Sequence, residues 1–188
     1  MTKAEARKHF LAKRTELSPH VRAEYDLQLY NQFFQKVDLN GVRVLHLYLP
    51  IEQKGEPDTW AILDRLRREF GHIRLVIPRV EAEDDLEHIF FEGLHQLKNN
   101  AWGIPEPQTG VPADPKLIDL VIVPLLAFTI NGHRVGYGKG YYDRFLARCG
   151  TRCRKLGLSY FEAATIDGFD DNDICLDAVV TPTGITTF

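Results

Sequence analysis

The chain has 188 residues, 44% hydrophobic and 26% charged, with a net charge of −3. That size and balance describe an ordinary globular protein with a substantial core. They exclude the broad basic surface that bulk binding to nucleic acid or an acidic membrane needs, and no apolar run approaches the roughly 20 residues of a membrane helix.

The N-terminal segment MTKAEARKHF is charged and has no apolar signal core. Residues 2–17 and 20–36 carry helical spacing and are broken at Ser18-Pro19, with Ser18 as N-cap and Pro19 at the first helical position. Val42–Leu49 (VRVLHLYL) is rich in strand formers and ends at Pro50. Pro57–Phe70 reads as a helix stopped by Gly71, and Ile73–Ile77 as a second strand closed by Pro78-Arg79. Glu81–Glu87 is a solvated acidic turn, followed by a short strand at Ile89–Phe91. The proline-rich stretch Asn99–Pro115 reads as a loop. Beyond it come a buried strand at Leu117–Val123, a helix at Tyr141–Cys149, and strands at Lys155–Ser159 and Ala178–Thr181. Apolar strands alternating with helices predict a mainly parallel sheet covered by helices on both faces. The expected fold is a Rossmann-like three-layer α/β sandwich, one domain over residues 1–188. The three cysteines, Cys149, Cys153 and Cys175, build no disulfide framework and read as reduced thiols of a cytoplasmic protein.

The segment Asp119–Arg144, DLVIVPLLAFTINGHRVGYGKGYYDR, concentrates the chemistry. Gly136, Gly138 and Gly140 let the backbone approach a ligand closely, with Arg134 and Lys139 beside them and a helix starting at Tyr141. Backbone N–H groups that lead into a helix N-terminus form an anion site. Neither common nucleotide pattern fits. The P-loop needs Ser or Thr after its lysine, where Gly140 stands, and G-x-G-x-x-G needs glycine where Tyr141 stands. On the first helix, Lys3, Arg7 and Arg14 fall at angles of about 0°, 40° and 20°, one basic stripe that includes Phe10.

The run R-x-G-x-G-x-G-Y-Y-D, preceded by V-P-x-x-A-F and a G-x-R turn, resembles the 5-formyltetrahydrofolate cyclo-ligase family, also called 5,10-methenyltetrahydrofolate synthetases. The likeness runs from Lys3 to the Asp177–Thr181 segment. It implies an enzyme that uses ATP and Mg²⁺ to close 5-formyltetrahydrofolate to 5,10-methenyltetrahydrofolate, giving ADP and phosphate. By the same resemblance, the K-x-x-x-R pair Lys3 and Arg7 contacts ATP phosphates, together with Arg134, Gly136, Gly138, Lys139, Gly140, Tyr141 and Tyr142, and Arg14 matches a further frequent arginine. Arg134, Lys139 and Tyr141 are expected at the reacting centre. Asp143 of Y-Y-D is expected to bind Mg²⁺ with Asp177, Asp173 being the competing candidate; two carboxylates with phosphates and waters suit that ion.

Glu56 resembles the glutamate that contacts the pterin, with Glu52 as the alternative. Trp102, in W-G-I-P-E-P, resembles the loop that forms the folate pocket, and a flat ring suits stacking there. Tyr137, Gly138, Lys139, Gly140 and Tyr141 are expected to line the folate site, and Arg79 is a further pocket candidate. The partners expected are folate and ATP, with a monomeric chain and no nucleic-acid or membrane partner. No Ser, Cys or His constellation for covalent catalysis stands in the sequence, which fits phosphoryl transfer. Two rivals remain: a non-catalytic homologue that binds folate or nucleotide, and a sugar-phosphate isomerase or acyl-transfer enzyme on a similar scaffold.

Overall fold

The computed structural model describes residues 1–81, 85–100 and 103–188. Two long helices lead the chain: α1 (Lys3–Thr15) and α2 (Pro19–Lys36). Thr2 and Glu5 close a capping box on α1, each satisfying the other's backbone N–H. Ser18 caps α2 as expected, accepting from Val21 N at 3.3 Å with Pro19 in the first turn.

The strands follow as β1 (Val44–Leu47), β2 (Arg74–Val80), β3 (Leu86–Phe90), β4 (Leu97–Asn99), β5 (Pro105–Pro107), β6 (Leu120–Val123), β7 (Ala127–Phe128), β8 (Arg134–Val135), β9 (Arg154–Leu158), β10 (Ala178–Thr181) and β11 (Gly184–Thr187). Helix α3 (Trp60–Glu69) links β1 to β2, and α4 (Tyr141–Arg148) links β8 to β9. Seven strands form one sheet in the order β11-β10-β9-β6-β1-β2-β3. Its five inner strands are parallel, and β11 and β3 close the edges antiparallel.

Alternation along the strands sorts the core into two layers. Leu45, Leu47, Leu120 and Ile122 face α2 and α3, where Leu29, Phe33, Ile62 and Leu66 are buried. Val44, Val121 and Val123 face the opposite side, against Phe145 and Leu146 of α4. The sheet is therefore covered on both sides, and the predicted α/β sandwich is the observed one. A third small cluster seats α1: Ala6 and Phe10 pack on Leu126, Ala127, Val135 and Ile166, beyond the end of β6.

Several boundaries move for local reasons. Strand β2 runs through Pro78 to Val80, past the predicted stop at Pro78. Proline is tolerated because β1 pairs only as far as Val76, so the Pro78 nitrogen faces a free edge. Leu86 and Glu87, read as turn, belong to β3, and the loop after Asn99 contains β5. Residues 115–117 form a short 3-10 turn ahead of the strand that was predicted to begin at Leu117. Strands β7, β8 and β11 went unread, being short or polar.

Gly157 in β9 lies where three side chains meet. An added Cβ would stand 2.5 Å from Leu125 Cδ2, 2.9 Å from Leu176 Cδ1 and 3.0 Å from Val179 Cγ2. Gly157→Ala is expected to destabilise the fold by about 1–3 kcal/mol, as overpacking does. The denaturant midpoint should fall with an unchanged m-value. A midpoint equal to wild type would contradict the packing described.

Candidate functional site

Strand order reverses between β1 and β6, because α3 carries the chain to one side of β1 and the later strands extend to the other. In such sheets the crevice beyond the carboxyl ends of the strands at the reversal takes the ligand. A cavity of about 560 Å³ lies there, with Tyr48 and Leu49 after β1, Pro124 after β6, and Pro78 and Val80 of β2 in its wall. Further walls come from the glycine loop, the start of α4, the N-terminal end of α1, the segment around Glu56, Leu86 of β3, the Ile104–Glu106 stretch and Asp173.

One part of the cavity is built for negative charge. Gly138 and Gly140 have φ of +89° and +71°, the left-handed region that favours glycine. A Cβ at Gly138 would stand 3.2 Å from Arg7 Cζ, so glycine is also needed for the guanidinium to lie on the loop. Arg7 Nε donates to Gly136 O at 3.0 Å and fixes that approach. Gly140 is the N-cap of α4 and offers no side-chain acceptor. The first residues of α4 line the cavity and their amides carry no side-chain cap, a helix terminus suited to anionic oxygens. Lys139 is exposed on the rim, and Tyr141 and Tyr142 follow it along the wall.

Beneath the loop, Arg134 is only 7% exposed. Its Nη2 donates to Asp143 Oδ1 at 2.8 Å and its Nη1 to the carbonyl of Ile174, while Ile174 N donates to the same Asp143 oxygen at 3.1 Å. This knot ties the glycine hairpin, α4 and the segment before β10 together. Lys3 reaches in from α1, with Nζ 2.7 Å from Asp173 Oδ2 and 3.9 Å from Asp170 Oδ2. Burial acts to raise the Asp173 pKa. The hydrogen bonds from Lys3 and the Asp170 amide, with the charges of Lys3 and Arg134, outweigh it and hold the carboxyl below its ordinary value.

Asp143 and Asp173 both line the cavity, and Asp177 does not. Asp177 lies at the start of β10, at the opposite end of the strands. Its Oδ2 accepts from Lys155 N at 2.6 Å and pairs with Lys155 Nζ at 3.0 Å. Among the described residues, no three His, Cys, Asp or Glu side chains converge on a common point. A hard divalent ion fits here only with two carboxylates and the remaining oxygens from phosphate and water, which is how Mg²⁺ is commonly held.

A further part of the wall centres on Glu56, only 6% exposed; Glu52, in the 3-10 turn Glu52–Lys54, is exposed and does not itself line the cavity. Glu56 Oε1 accepts from Tyr137 Oη at 2.6 Å and Oε2 from Ile51 N at 2.7 Å. Burial raises the Glu56 pKa, opposed by the hydrogen bonds from Tyr137 and Ile51 and by the charges of Arg14 and Lys54. Lys54 Nζ stands 4.0 Å from the centroid of the Tyr137 ring. Tyr142 Oη is buried in the wall with no hydrogen-bond partner among the described residues, a polar atom that a ligand could satisfy.

The basic stripe divides on folding. Lys3 and Arg7 line the cavity, whereas Arg14 is 3% exposed and spends its guanidinium inside the protein. Trp102 lies outside the described residues, though Ile104, Pro105 and Glu106 of the same loop line the cavity. Arg79 pairs with Glu87 and donates to the carbonyls of Pro107 and Gln108 at 3.1 and 3.0 Å, bracing that loop instead of entering the cavity. Lys54, Tyr48, Val80 and Leu86 were missed. Their only sequence signal was position after an apolar strand, too common to select them. A buried pair, His46 and His88, with Nε2 and Nδ1 3.2 Å apart, was also unforeseen. It lies on β1 and β3 in the core, where burial lowers the His88 pKa to about 4.

The model of the 5-formyltetrahydrofolate cyclo-ligase family matches residues 1–182. The mitochondrial 5-formyltetrahydrofolate cyclo-ligase of Arabidopsis thaliana is 28% identical, over 90% of this chain and 70% of that one. The 5-formyltetrahydrofolate cyclo-ligase of Mycoplasma genitalium is 27% identical, over 95% and 96%. Among solved structures, Aquifex aeolicus 5,10-methenyltetrahydrofolate synthetase superposes with a TM-score of 0.82 at 31% identity, over 100% of this chain and 93% of that one. The Mycoplasma pneumoniae 5,10-methenyltetrahydrofolate synthetase gives 0.76 at 27% identity, over 96% and 98%. No helix among the described residues is long and apolar enough to cross a membrane.

Proposed function

This chain belongs to the 5-formyltetrahydrofolate cyclo-ligase family, and from that premise we propose that it closes 5-formyltetrahydrofolate to 5,10-methenyltetrahydrofolate with ATP, releasing ADP and phosphate. The carrying observation is one cavity whose lining combines two unlike chemistries: Lys3, Arg7, Arg134, Lys139 and the start of α4 on the one hand, and the buried carboxylate Glu56 on the other.

The chemistry follows from what each set can hold. A formyl group on nitrogen is a poor electrophile, and its oxygen leaves poorly. Attack of that oxygen on the γ-phosphorus expels ADP and converts the oxygen into a phosphate ester. The neighbouring folate nitrogen then adds to the activated carbon and gives up its proton, and cleavage of the C–O bond releases phosphate. No protein nucleophile is required; positioning and charge neutralisation carry the reaction.

Lys139, on the loop beside the helix amides, is placed to follow charge on the transferred phosphoryl group. Lys3 and Arg7 hold the remaining phosphates from outside, and Arg134 fixes Asp143 and the loop from beneath. Asp143 and Asp173 would hold Mg²⁺, which supplies neutralisation of phosphate charge when bound. Glu56, Tyr137 and the apolar wall of Pro78, Val80, Leu86 and Ile104 would receive the pterin.

One assay tests this reading: 5-formyltetrahydrofolate with MgATP, following the methenyl chromophore and ADP together. Equal yields of both are expected. Folate binding without product would favour a non-catalytic binding protein, and no folate binding would remove the reading. In the same assay Lys139→Ala should lower turnover at least about tenfold, roughly 1.4 kcal/mol of transition-state stabilisation. Wild-type turnover would remove Lys139 from the phosphate clamp.

A further inference from the structure

Arg14 carries a charge into the protein without a carboxylate in direct contact. Its Nε donates to Lys54 O at 2.8 Å, its Nη1 to Leu125 O at 3.0 Å, and its Nη2 to the Tyr137 hydroxyl. That hydroxyl in turn donates its own hydrogen bond to Glu56 Oε1 at 2.6 Å. The three groups form a directed chain: cation, hydroxyl, carboxylate. Its polarity is set, since a guanidinium can only donate and an ionised carboxylate can only accept. The residue that helical spacing placed on the basic stripe with Lys3 and Arg7 is thus turned toward Tyr137 and Glu56.

We propose that Arg14 is a positioning residue for recognition of the folate: acting through the Tyr137 hydroxyl, it keeps Glu56 ionised and turned as an acceptor for paired N–H donors of the pterin. This rests on the cyclo-ligase reading of the cavity. An aminopyrimidinone ring presents a ring N–H beside an exocyclic amine. A carboxylate whose two oxygens are each held by one donor, Tyr137 on one and Ile51 N on the other, keeps a lone pair on each oxygen for that pair.

The surroundings make such a relay necessary. Around Glu56, the charged groups are Arg14 from α1, Lys54 from its own loop and, farther back, Arg22 and Asp26 of α2; Arg22 lies 3.1 Å from where a Gly55 Cβ would stand. The titratable hydroxyls are Tyr48, Tyr137, Tyr142 and Tyr160; Tyr160 Oη donates to Asp26 at 2.6 Å and reaches the Glu56 carbonyl at 3.4 Å. Burial of Glu56 favours the neutral acid, which would present a donor to a donor. The Tyr137 hydrogen bond is the largest local opposition to that outcome, followed by the Ile51 amide and then the Arg14 charge, so removing Tyr137 Oη or the Arg14 guanidinium weakens it.

The test uses the full chain with Tyr137→Phe and Arg14→Met. Two quantities are read by calorimetric titration, the affinity for 5-formyltetrahydrofolate and separately that for ATP. A third is the titration of the Glu56 carboxyl, followed by carbon NMR without ligand. In both variants the folate Kd is expected to rise about tenfold while ATP affinity stays within about twofold. Glu56 should titrate at higher pH than in wild type. Parallel loss of both affinities would overturn the proposal, because Arg14 would then serve only to anchor α1. An unshifted Glu56 titration would overturn it as well. If Arg14→Met fails to fold, Tyr137→Phe keeps the ring and decides alone. Should the wild-type chain not bind the folate, the functional reading fails at that step, and the Glu56 titration still settles the relay.

Discussion

Arg134→Ala should lower kcat/KM for MgATP-dependent cyclisation by about 10³-fold, on the order of 4 kcal/mol. The size follows from three losses at once. A cation at the phosphate end disappears, Asp143 loses the partner that aims it, and the carbonyl of Ile174 loses its donor. Arg134 is 7% exposed, so the vacated space does not fill freely with solvent, and Asp143 is left with Ile174 N as its remaining donor. Arg134→Lys sharpens the prediction. Lysine keeps the charge but lacks the planar fork that serves Asp143 and Ile174 together, so it should recover less than half of the logarithmic loss. Steady-state kinetics on both variants, with thermal denaturation to confirm folding, decides the matter. An alanine variant within tenfold of wild type would show that Arg134 is structural only.

The arrangement also shows where sequence was a good guide. Strands β1 and β6 were legible because buried parallel strands are near-continuous apolar runs: LVIV is one, and VLHL is interrupted only by the buried His46. The glycine loop was legible because Gly138 and Gly140 need φ values that other residues rarely adopt, so their spacing records backbone shape. Arg14 shows the limit. Helical spacing put it correctly on the face of Lys3 and Arg7, but periodicity gives an angle around an axis and not what lies beyond it. Two to three turns along α1, that same face meets Lys54, Leu125 and Tyr137, so Arg14 reaches residues of the cavity wall and does not line the cavity itself. Strand β11 was missed for a different reason: Gly184–Thr187 pairs through its backbone with β10 and buries little, so no apolar pattern records it.

Three aspartates near the C-terminal half give the second large prediction. Asp143→Asn and Asp173→Asn should each lower turnover about 10²-fold and raise the Mg²⁺ concentration needed for half-maximal rate, whereas Asp177→Asn should do neither. The family resemblance had favoured Asp177, just before Ala-Val-Val-Thr, as the partner of Asp143. The fold places it at the strand starts, held by Lys155, with the full depth of the sheet between it and the cavity. Asp173 is four residues earlier in a segment that loops back over the carboxyl ends, so a small step in sequence crosses the whole layer. Its carboxylate is already below the ordinary range, and that keeps it ionised for a cation. Lys3 pairs with it at 2.7 Å, and with Asp143 it would hold the metal, whose charge would offset that of the phosphates beside Lys3.

Asp177→Asn gives up an ion pair about half open to solvent, so its cost is stability of at most about 1 kcal/mol and no change in metal dependence. Rate measured against Mg²⁺ at fixed ATP separates the cases, because a merely structural aspartate changes the plateau without moving the midpoint. If Asp177→Asn moves the midpoint and Asp173→Asn leaves it in place, the metal is held at the other end of the strands and the site described above is wrong.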